Sequence, residues 1–421
     1  MKATFVSHWM EDNPFRLGNG WEPYTLSLRI VNLVKWQLET NTFVPGLWDS
    51  ICQQSHVLSR TVEYHLRGNH LFANAKALVF AGLFLQGPLP NAWYQKGMAI
   101  IKEQLVEQFL SDGAHFELST TYHATLTEDL LDIINILKTY EQEVPRLLVE
   151  TAKRAMAWLK IMTRPDGLPP LFNDAAYGLC PTFEKLKNYT LRLGVKWEQK
   201  QEVAFTDLPA SGYFRYDGEN YSFWGDAGQI GPDYIPGHAH CDMFNFEMFA
   251  YGQPVVVDTG TSTYEVGTRR TVERSTAAHN TVQLGEHEQS EVWGTFRVGR
   301  RARILERKVT KNNVTASHNG FSSNGIIHHR SFQFDSKRLH LEDVLEGRPK
   351  CLAVARFHLH PDIKPAVSDG KVQAGGVTFV FSGEGRVEIT LYEYAPEFNT
   401  RIEAHCIDVY FDQHLSTDIF L

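Results

Sequence analysis

The stretch "GHAHCDMFNFEMFAYGQPVVVDTGT", residues 237–261, decides the fold class of this chain. Its apolar side chains Phe244, Phe246 and Met248 alternate with the polar side chains Asn245 and Glu247. Alternation with a period of two predicts a half-buried β-strand. A Gly-Gln-Pro turn and the apolar run "VVV" follow, which indicates a second strand beside the first.

Polar side chains that can bind metals stand at both ends of this strand pattern. On a strand, His238, His240 and Asp242 would share one face, because side chains repeat every two residues. Burying such groups without partners costs free energy, so we expect them to face solvent, to line a cleft or to bind a metal. Together with Asp258 and His279 they offer the histidine and carboxylate ligands that zinc takes. Spacing alone also leaves open a hydrogen-bonded polar ladder at a sheet edge.

Composition sets limits on the partners of this chain. It has 421 residues, 43% of them hydrophobic, and a net charge of -8. An acidic chain without a long basic stripe argues against nucleic acid as the main partner. An acidic polymer remains compatible, because a local cleft can be basic on an acidic protein. The five cysteines are scattered without a CxxC pair, which predicts thiols rather than a disulfide framework.

The N-terminus and the hydropathy pattern bear on localisation. Residues 1–10 show no basic segment followed by an apolar one, and no apolar stretch approaches about 18 residues. We therefore expect no membrane span and a cytoplasmic protein for the chain as given, or a periplasmic one if residues precede Met1. For the oligomeric state, a homodimer is one expectation.

The two halves of the chain have different periods. Apolar positions at helical spacing predict helices in the first half, separated by breakers such as "QGPLPN" and "RPDGLPP". From about residue 203 the period becomes two, which predicts stacked antiparallel sheets. We expect an α+β multidomain protein with a helical domain over 1–200, a β-sandwich domain over 201–421 and a linker near 195–205. The predicted helices cover 23–39, 46–66, 71–85, 92–110, 120–140, 144–163 and 181–193.

Two polar clusters lie at predicted helix starts. Arg67, Asn69 and His70 stand at a helix entrance, where the helix dipole favours a carboxylate ligand; Asn69 acting as a simple N-cap is the competing interpretation. Tyr122 and His123 fall in the first turn of another helix, where packing is the more common role. A third cluster, "FNDAAYG" at 172–178, is interpreted as a turn.

The order of these motifs resembles the heparinase II/III-like family of polysaccharide lyases. Gly-His-x-His-x-Asp and Val-Asp-x-Gly occur within 237–260, and "RSTAAHNTVQLGEHEQSE" follows at 274–291. In the helical half, "RGNHLFANAKALVFAGLF" at 67–84 and "YHATLTEDLLDI" at 122–133 resemble the same family. The resemblance covers about residues 8–300. It implies an incomplete α/α toroid followed by an antiparallel β-sandwich.

The resemblance also implies a reaction, β-elimination on a uronic-acid-containing polysaccharide. Asn69 matches the asparagine that neutralises the uronate carboxylate, with His70 beside it. Tyr122 matches the tyrosine that serves as base, acid or both, and His238 matches the second base. The chain begins almost at the first segment that resembles the family, and a chain this short fits either a truncated protein or one that acts in bacterial surface-polysaccharide metabolism.

Further residues follow from the same resemblance. A structural zinc ion is expected on His240, Asp258 and His279. Substrate-binding support is expected from Arg67, His123, Glu247 and Arg274. A non-catalytic protein that binds acidic glycans on the same fold is the alternative. Hydrolysis would need a carboxylate pair across a cleft, for which Asp174 and Asp242 are the candidates.

Overall fold

The computed structural model describes residues 2–198 and 204–421, and its first half is helical. All seven predicted helices are present, with ends that differ by a few residues, and a further helix that we did not predict precedes them. The helices are α1 Lys2–Asp12, α2 Pro23–Thr40, α3 Leu47–Arg60, α4 Gly68–Phe84, α5 Pro88–Glu107, α6 Thr120–Thr139, α7 Arg146–Met162, α8 Phe183–Leu193 and, later in the chain, α9 Thr268–Glu273.

The chain forms two compact units. The first unit contains Met1–Phe109, Leu126–Lys153 and Asn188–Lys196, and the second contains Leu110–Thr125, Arg154–Lys187 and Trp197–Leu421. Helices α6, α7 and α8 therefore contribute residues to both units. The predicted domain boundary between 200 and 201 falls on 199–203 and lies outside the described residues.

Helix α4 is the centre of the first unit, where it packs against α2, α3 and α5. Glycine allows the close approach of α5, because a Cβ atom on Gly97 would lie 2.7 Å from the carbonyl oxygen of Ala75. The buried Lys76 of α4 donates to Asp129 at 2.6 Å and to Asp132 at 2.5 Å. A buried ammonium needs such paired carboxylates, so these contacts fix α4 against α6.

The second unit contains two antiparallel sheets and a small hairpin. Their strands are β1 Phe205–Leu208, β2 Tyr213–Asp217, β3 Tyr221–Asp226, β4 Phe246–Ala250, β5 Gln253–Val256, β6 Val282–Leu284, β7 Glu291–Trp293, β8 Arg297–Gly299, β9 Ile304–Thr310, β10 Asn313–His318, β11 Ile327–Asp335, β12 Arg338–Glu346, β13 Ala353–His358, β14 Ala366–Ser368, β15 Lys371–Ala374, β16 Val377–Tyr394 and β17 Ile402–Phe420.

Sheet order follows directly from the pairings. The five-stranded sheet runs β1-β2-β3-β4-β5, and β7 pairs with β8 alone. The ten-stranded sheet runs β14-β15-β16-β17-β12-β11-β10-β9, with β13 paired to both β17 and β6. The prediction of an α+β fold, with helices first and antiparallel sheets second, is confirmed.

Aromatic rings from the two sheets pack together and form the core of the second unit. Phe214 of β2 meets Phe332 of β11 with ring centroids 5.2 Å apart, and Phe246 of β4 meets Phe357 of β13 at 6.0 Å. All four side chains are fully buried. Their burial on the inner faces explains the period of two in the sequence.

The stretch 237–261 is only partly a strand. Strand β4 begins at Phe246, and residues 237–245 form turns and irregular backbone. Phe244 adopts a φ of 67°, and the Asn245 N–H donates to the Asp242 carbonyl, which closes a turn. The prediction that His238, His240 and Asp242 share one face of a strand is therefore wrong: they lie on a loop.

None of the helices in the described ranges combines the length and the apolar content that crossing a membrane requires.

Candidate active site

Tyr122 and His238, separated by more than a hundred residues in sequence, are in contact in the second unit. Their rings are 3.9 Å apart between centroids with an interplanar angle of 31°. Tyr122 lies in the first turn of α6, where its backbone N–H points to the Ser119 hydroxyl at 3.3 Å. Its own hydroxyl is 3.3 Å from the hydroxyl of Tyr264. The predicted tyrosine and histidine of the site thus come together.

The imidazole of His238 lies between two carboxylates. Its Nδ1 atom is 2.9 Å from Oδ2 of Asp174, and its Nε2 atom is 3.5 Å from Oε2 of Glu117. The backbone N–H of Asp174 also donates to the His238 carbonyl at 3.1 Å. The side chain is 12% exposed, so the ring is held firmly yet reaches the surface.

Asp174 connects the residues of this site and is completely buried. Besides His238 it bonds Nε2 of His240 at 2.8 Å and both terminal nitrogens of the Arg270 guanidinium. Burial alone would raise the pKa of Asp174, but Arg270 and the two imidazoles hold it well below its usual range. Asp174 is therefore a permanent carboxylate that orients both histidines.

Aromatic rings form the wall around His238. Tyr264 and Phe296 lie 6.1 Å and 5.6 Å from the His238 ring, and 5.3 Å from each other. The Arg270 guanidinium covers the Tyr264 ring at 5.0 Å. Burial raises the pKa of Tyr264 well above its usual value, so this hydroxyl stays protonated. The part of Phe296 that remains exposed, 43%, offers a flat apolar surface next to the histidine.

The three predicted zinc ligands also lie together. The His240 and His279 rings are 5.3 Å apart, and Nδ1 of His279 is 2.8 Å from Oδ2 of Asp258. As placed, these side chains bond to protein groups, and within residues 2–198 and 204–421 no three His, Cys, Asp or Glu side chains are arranged to hold a metal ion.

Unpaired atoms at the same place nevertheless suit a cation. Across the described part of the chain, the buried atoms without a hydrogen-bond partner include Nδ1 of His240, Nε2 of His279 and Oδ2 of Asp242. Burial lowers the pKa of His240 to about 3, so its imidazole is neutral, as a metal ligand must be. The donor types fit zinc, whereas the present side-chain positions do not complete a ligand set.

Three residues predicted to bind substrate are buried and engaged with protein groups. Glu247 accepts from Arg164 at 2.6 Å and from the Leu171 N–H at 2.8 Å. Arg274 donates to the carbonyls of Ala239 and Thr295 at 2.9 and 3.0 Å. These contacts give Glu247 and Arg274 structural roles and leave them unsuited to contact a ligand.

His123 belongs to the same group. Its Nδ1 atom accepts the His115 N–H at 3.1 Å, and its Nε2 atom lies 2.9 Å from the Ala155 carbonyl oxygen. Burial lowers the pKa of His123 to about 3, so the ring is neutral. It anchors the first turn of α6, which carries Tyr122.

The cluster of Arg67, Asn69 and His70 lies in the first unit at the start of α4. Arg67 has a φ of 57° and precedes the helix, which puts Asn69 and His70 in its first turn. Nδ1 of His70 is 3.2 Å from Oε1 of Glu63, and its ring lies 4.4 Å from the Tyr24 ring. Asn69 is largely buried and Arg67 is half exposed.

Sequence reasoning missed three residues of the site and gave a fourth, Asp174, other roles. Asp174 was interpreted as a turn residue in "FNDAAYG" and as a candidate for hydrolysis with Asp242, not as the carboxylate that orients His238. Glu117, Tyr264 and Arg270 stood out in no motif, because their partners are far away in sequence.

Comparison with family models covers most of the chain. Residues 27–191 match the model described as heparinase II/III N-terminus, and residues 200–417 match heparinase II/III-like, C-terminal. The second match alone spans more than half of the 421 residues.

Proteins that are similar to this chain in sequence include heparin-sulfate lyases. The one from Bacteroides stercoris is 27% identical over 296 residues, which is 63% of this chain and 43% of that protein. The one from Pedobacter heparinus is 26% identical over 323 residues, 66% of this chain and 47% of that protein. The chain thus aligns with less than half the length of these relatives.

Solved structures share the fold. Heparinase III superposes with a TM-score of 0.79 at 17% identity, covering 100% of this chain and 72% of that one. Heparan sulfate lyase HepC from Pedobacter heparinus superposes with a TM-score of 0.67 at 20% identity, with coverage of 100% and 72%.

Proposed function

Since this chain belongs to the heparinase II/III-like family, we propose that it is a polysaccharide lyase that cleaves a uronic-acid-containing glycan by β-elimination. Two observations support the proposal. Its named relatives are heparin-sulfate lyases. The observation that carries it is the contact of Tyr122 with His238, which sets two groups capable of proton transfer side by side at one surface.

The proposed reaction needs no water. A base removes the proton at C5 of the uronate, the C4–O bond breaks, and a proton passes to the departing oxygen. The products are one new sugar end and one uronate with a C4–C5 double bond. In this scheme Tyr122 gives the leaving oxygen its proton and takes the C5 proton, and His238 serves as base for the opposite C5 epimer.

The contacts of His238 support its role as a proton carrier. Because Nδ1 donates to the permanent carboxylate of Asp174, the nitrogen that exchanges its proton is Nε2. Glu117 lies 3.5 Å from that nitrogen and can take part in the exchange. Asp174 therefore positions His238 in a single tautomer.

The carboxylate of the substrate needs neutralisation when C5 loses its proton, since the negative charge spreads onto it. We propose Asn69, assisted by His70, for this role. Asn69 lies in the first turn of α4, where backbone N–H groups and the helix dipole favour an anion, and this position supports the proposed role.

We also propose a structural zinc ion on His240, Asp258 and His279. The neutral state of His240 and the unpaired nitrogens of the two imidazoles support it. Bound zinc would contribute rigidity to the loop that carries His238, and the acid–base steps above are assigned to protein residues alone.

A panel of glycans tests the proposed function. The protein is incubated with heparan sulfate, a non-sulfated polyuronate and bacterial capsular glycans, and ultraviolet absorbance reports the new double bond. We expect absorbance to rise with at least one uronate substrate. Binding of an acidic glycan without any rise in absorbance would instead favour a non-catalytic glycan-binding protein.

A further inference from the structure

Arginines are concentrated in one short segment of the second unit. Residues 297–303 read "RVGRRAR" and contain four arginines, although the whole chain has a net charge of -8. This segment comprises β8 and the residues that lead into β9. A basic segment on an acidic protein focuses anions locally, so its surroundings bear on ligand binding.

This segment lies alongside the chain that leads to His238. A Cβ atom on Gly237 would be 3.4 Å from Cβ of Phe296, next to the histidine. Further along, Nη1 of Arg301 donates to the carbonyl oxygen of Asp233. At the far end the Ile304 N–H donates a hydrogen bond to Oε1 of Gln229 at 3.2 Å, and Nε2 of Gln229 donates to the Ile304 carbonyl oxygen at 3.3 Å. Residues 229–237 and 296–304 thus run side by side, away from His238.

A depression opens between these two segments. It has a volume of about 360 Å³, and its lining residues are Gln229, Ile230, Gly231, Pro232, Asp233, Arg301, Ala302 and Arg303. Arg301 and Arg303 both approach the same carboxylate oxygen of Asp233 at 3.6 Å. The Asp233 side chain is 78% exposed, so its carboxylate is free to leave the two guanidinium groups.

The neighbouring Arg300 has a different role. Its two terminal nitrogens donate to the carbonyls of Gly320 and Glu288 at 3.0 and 2.9 Å. These bonds hold the backbone of the segment. They leave Arg301 and Arg303 as the guanidinium groups that face the depression.

We propose that this arginine pocket, the depression lined by Arg301 and Arg303, binds an anionic group of the glycan on a sugar unit beyond the one that reacts. The inference rests on the proposed function and extends it with a second binding site. Sulfate esters and carboxylates share the required chemistry, since guanidinium donors form charge-assisted hydrogen bonds with both. Asp233 occupies the place of that anion when no glycan is bound.

The distance along the chain agrees with a polymeric ligand. Arg301 is five positions after Phe296, which contacts His238, so the two lie within roughly 18 Å of each other. A glycan chain crossing the exposed face of Phe296 reaches the arginine pocket within a few sugar units. A ligand limited to the reacting sugar would leave this pocket untouched.

Two opposite variants test the proposal through direct binding. In Arg301→Ala/Arg303→Ala both guanidinium groups are removed, and in Asp233→Asn the competing charge is removed while the shape is kept. The matched control, Arg348→Ala/Lys350→Ala, removes the same charge from an exposed loop between β12 and β13. Dissociation constants are measured for heparin, desulfated heparin and a non-sulfated polyuronate at low and physiological salt.

We expect the double arginine variant to bind on the order of tenfold more weakly, which corresponds to about one charge-assisted hydrogen bond. Asp233→Asn should bind more tightly, and the control should change less than twofold. A loss confined to heparin identifies sulfate as the anion, and an equal loss with all three identifies the carboxylate. Unchanged affinity in both test variants would overturn the proposal.

The outcome is separate from that of the proposed function. Charge-dependent binding without product formation would refute lyase activity and leave the arginine pocket in place. Product formation with unaltered binding in the variants would refute the arginine pocket alone. If the double variant fails to fold, Asp233→Asn still decides, since it retains both arginines.

Discussion

Nδ1 of His238 lies 2.9 Å from Oδ2 of Asp174, and the other oxygen of the same carboxylate lies 2.8 Å from Nε2 of His240. One buried aspartate therefore orients a histidine at the proposed reaction site and a histidine of the proposed zinc set. Arg270 keeps that aspartate ionised, although burial opposes it. His238 and His240 are two positions apart in sequence. The same carboxylate orients both, and the roles proposed for them differ.

Replacing this anchor should reduce turnover more than substrate binding. In Asp174→Asn the shape is preserved, but the amide no longer enforces the Nδ1–H tautomer of His238. We expect kcat to fall by about 100-fold or more, with KM changed far less. Steady-state kinetics on the best glycan of the panel measure both.

Asp412→Asn, an exposed aspartate on β17, is the matched control and should leave both constants unchanged. A kcat within twofold of the parent protein in a folded Asp174→Asn would show that the anchor has no part in the reaction.

Tyr122→Phe should remove nearly all turnover while leaving the fold intact, because it deletes one hydroxyl and keeps the ring that packs on His238. We expect a decrease of at least about 1,000-fold, as for loss of an acid–base group. Tyr264→Phe removes the neighbouring hydroxyl, 3.3 Å away, and serves as the control with a much smaller effect. Similar rates for Tyr122→Phe and the parent would contradict the assignment.

Zinc should be present at about one ion per chain if the proposed ligand set is correct. We expect elemental analysis to find it in the parent protein and not in His279→Gln. Chelation should lower the melting temperature of the parent. His360→Gln, at a partly exposed histidine beside Asp362, should retain the metal. A metal-free parent protein with the same melting temperature after chelation would rule the zinc site out.

A buried ion pair inside the large sheet should contribute to the acid sensitivity of the second unit. Arg330 bonds both oxygens of Asp343 at 2.7 and 2.9 Å, and His328 lies 2.7 Å from the same carboxylate. Burial would raise the pKa of Asp343, but Arg330 and His328 lower it to about 2. The pKa of Asp343 in the folded protein is therefore below its unfolded value of 3.8. Its contribution to the stability of the fold is complete at pH values above 3.8 and is lost as the pH falls towards 2.

Asp343→Asn should therefore lower the free energy of unfolding at neutral pH by about 3 kcal/mol, since it leaves Arg330 buried without its charge partner. The difference from the parent should shrink by about 2 kcal/mol between pH 5 and pH 2. Urea unfolding at a series of pH values measures it. A difference independent of pH would contradict the depressed pKa.

Periodicity in the sequence predicted most of the fold. Helices such as α2 and α6 and the alternating strands follow from local patterns, because each element buries one face. The loop 237–245 was not predicted from local patterns, because its turn depends on a positive φ at Phe244. Phenylalanine gives no sequence signal for that conformation.

The site was predictable only in part. Tyr122 and His238 came from the family resemblance, whereas the Asp174–Arg270 pair joins residues 96 positions apart that no local pattern connects. Arg274 and Glu247 carried the right chemistry for a ligand, but the fold buries both among backbone groups and an ion pair. Burial is a tertiary property, so spacing alone could not separate them from the residues that reach the surface.

Mass analysis of the products tests the central claim most directly. The parent protein and Tyr122→Phe are incubated with the uronate glycan that gives the largest absorbance change, or with heparan sulfate if none does. β-Elimination predicts fragments that carry an unsaturated uronate and are lighter by one water molecule than hydrolysis fragments, formed by the parent and not by the variant. Cleavage that yields saturated fragments alone, or intact glycan recovered from folded parent protein across the whole panel, would contradict it.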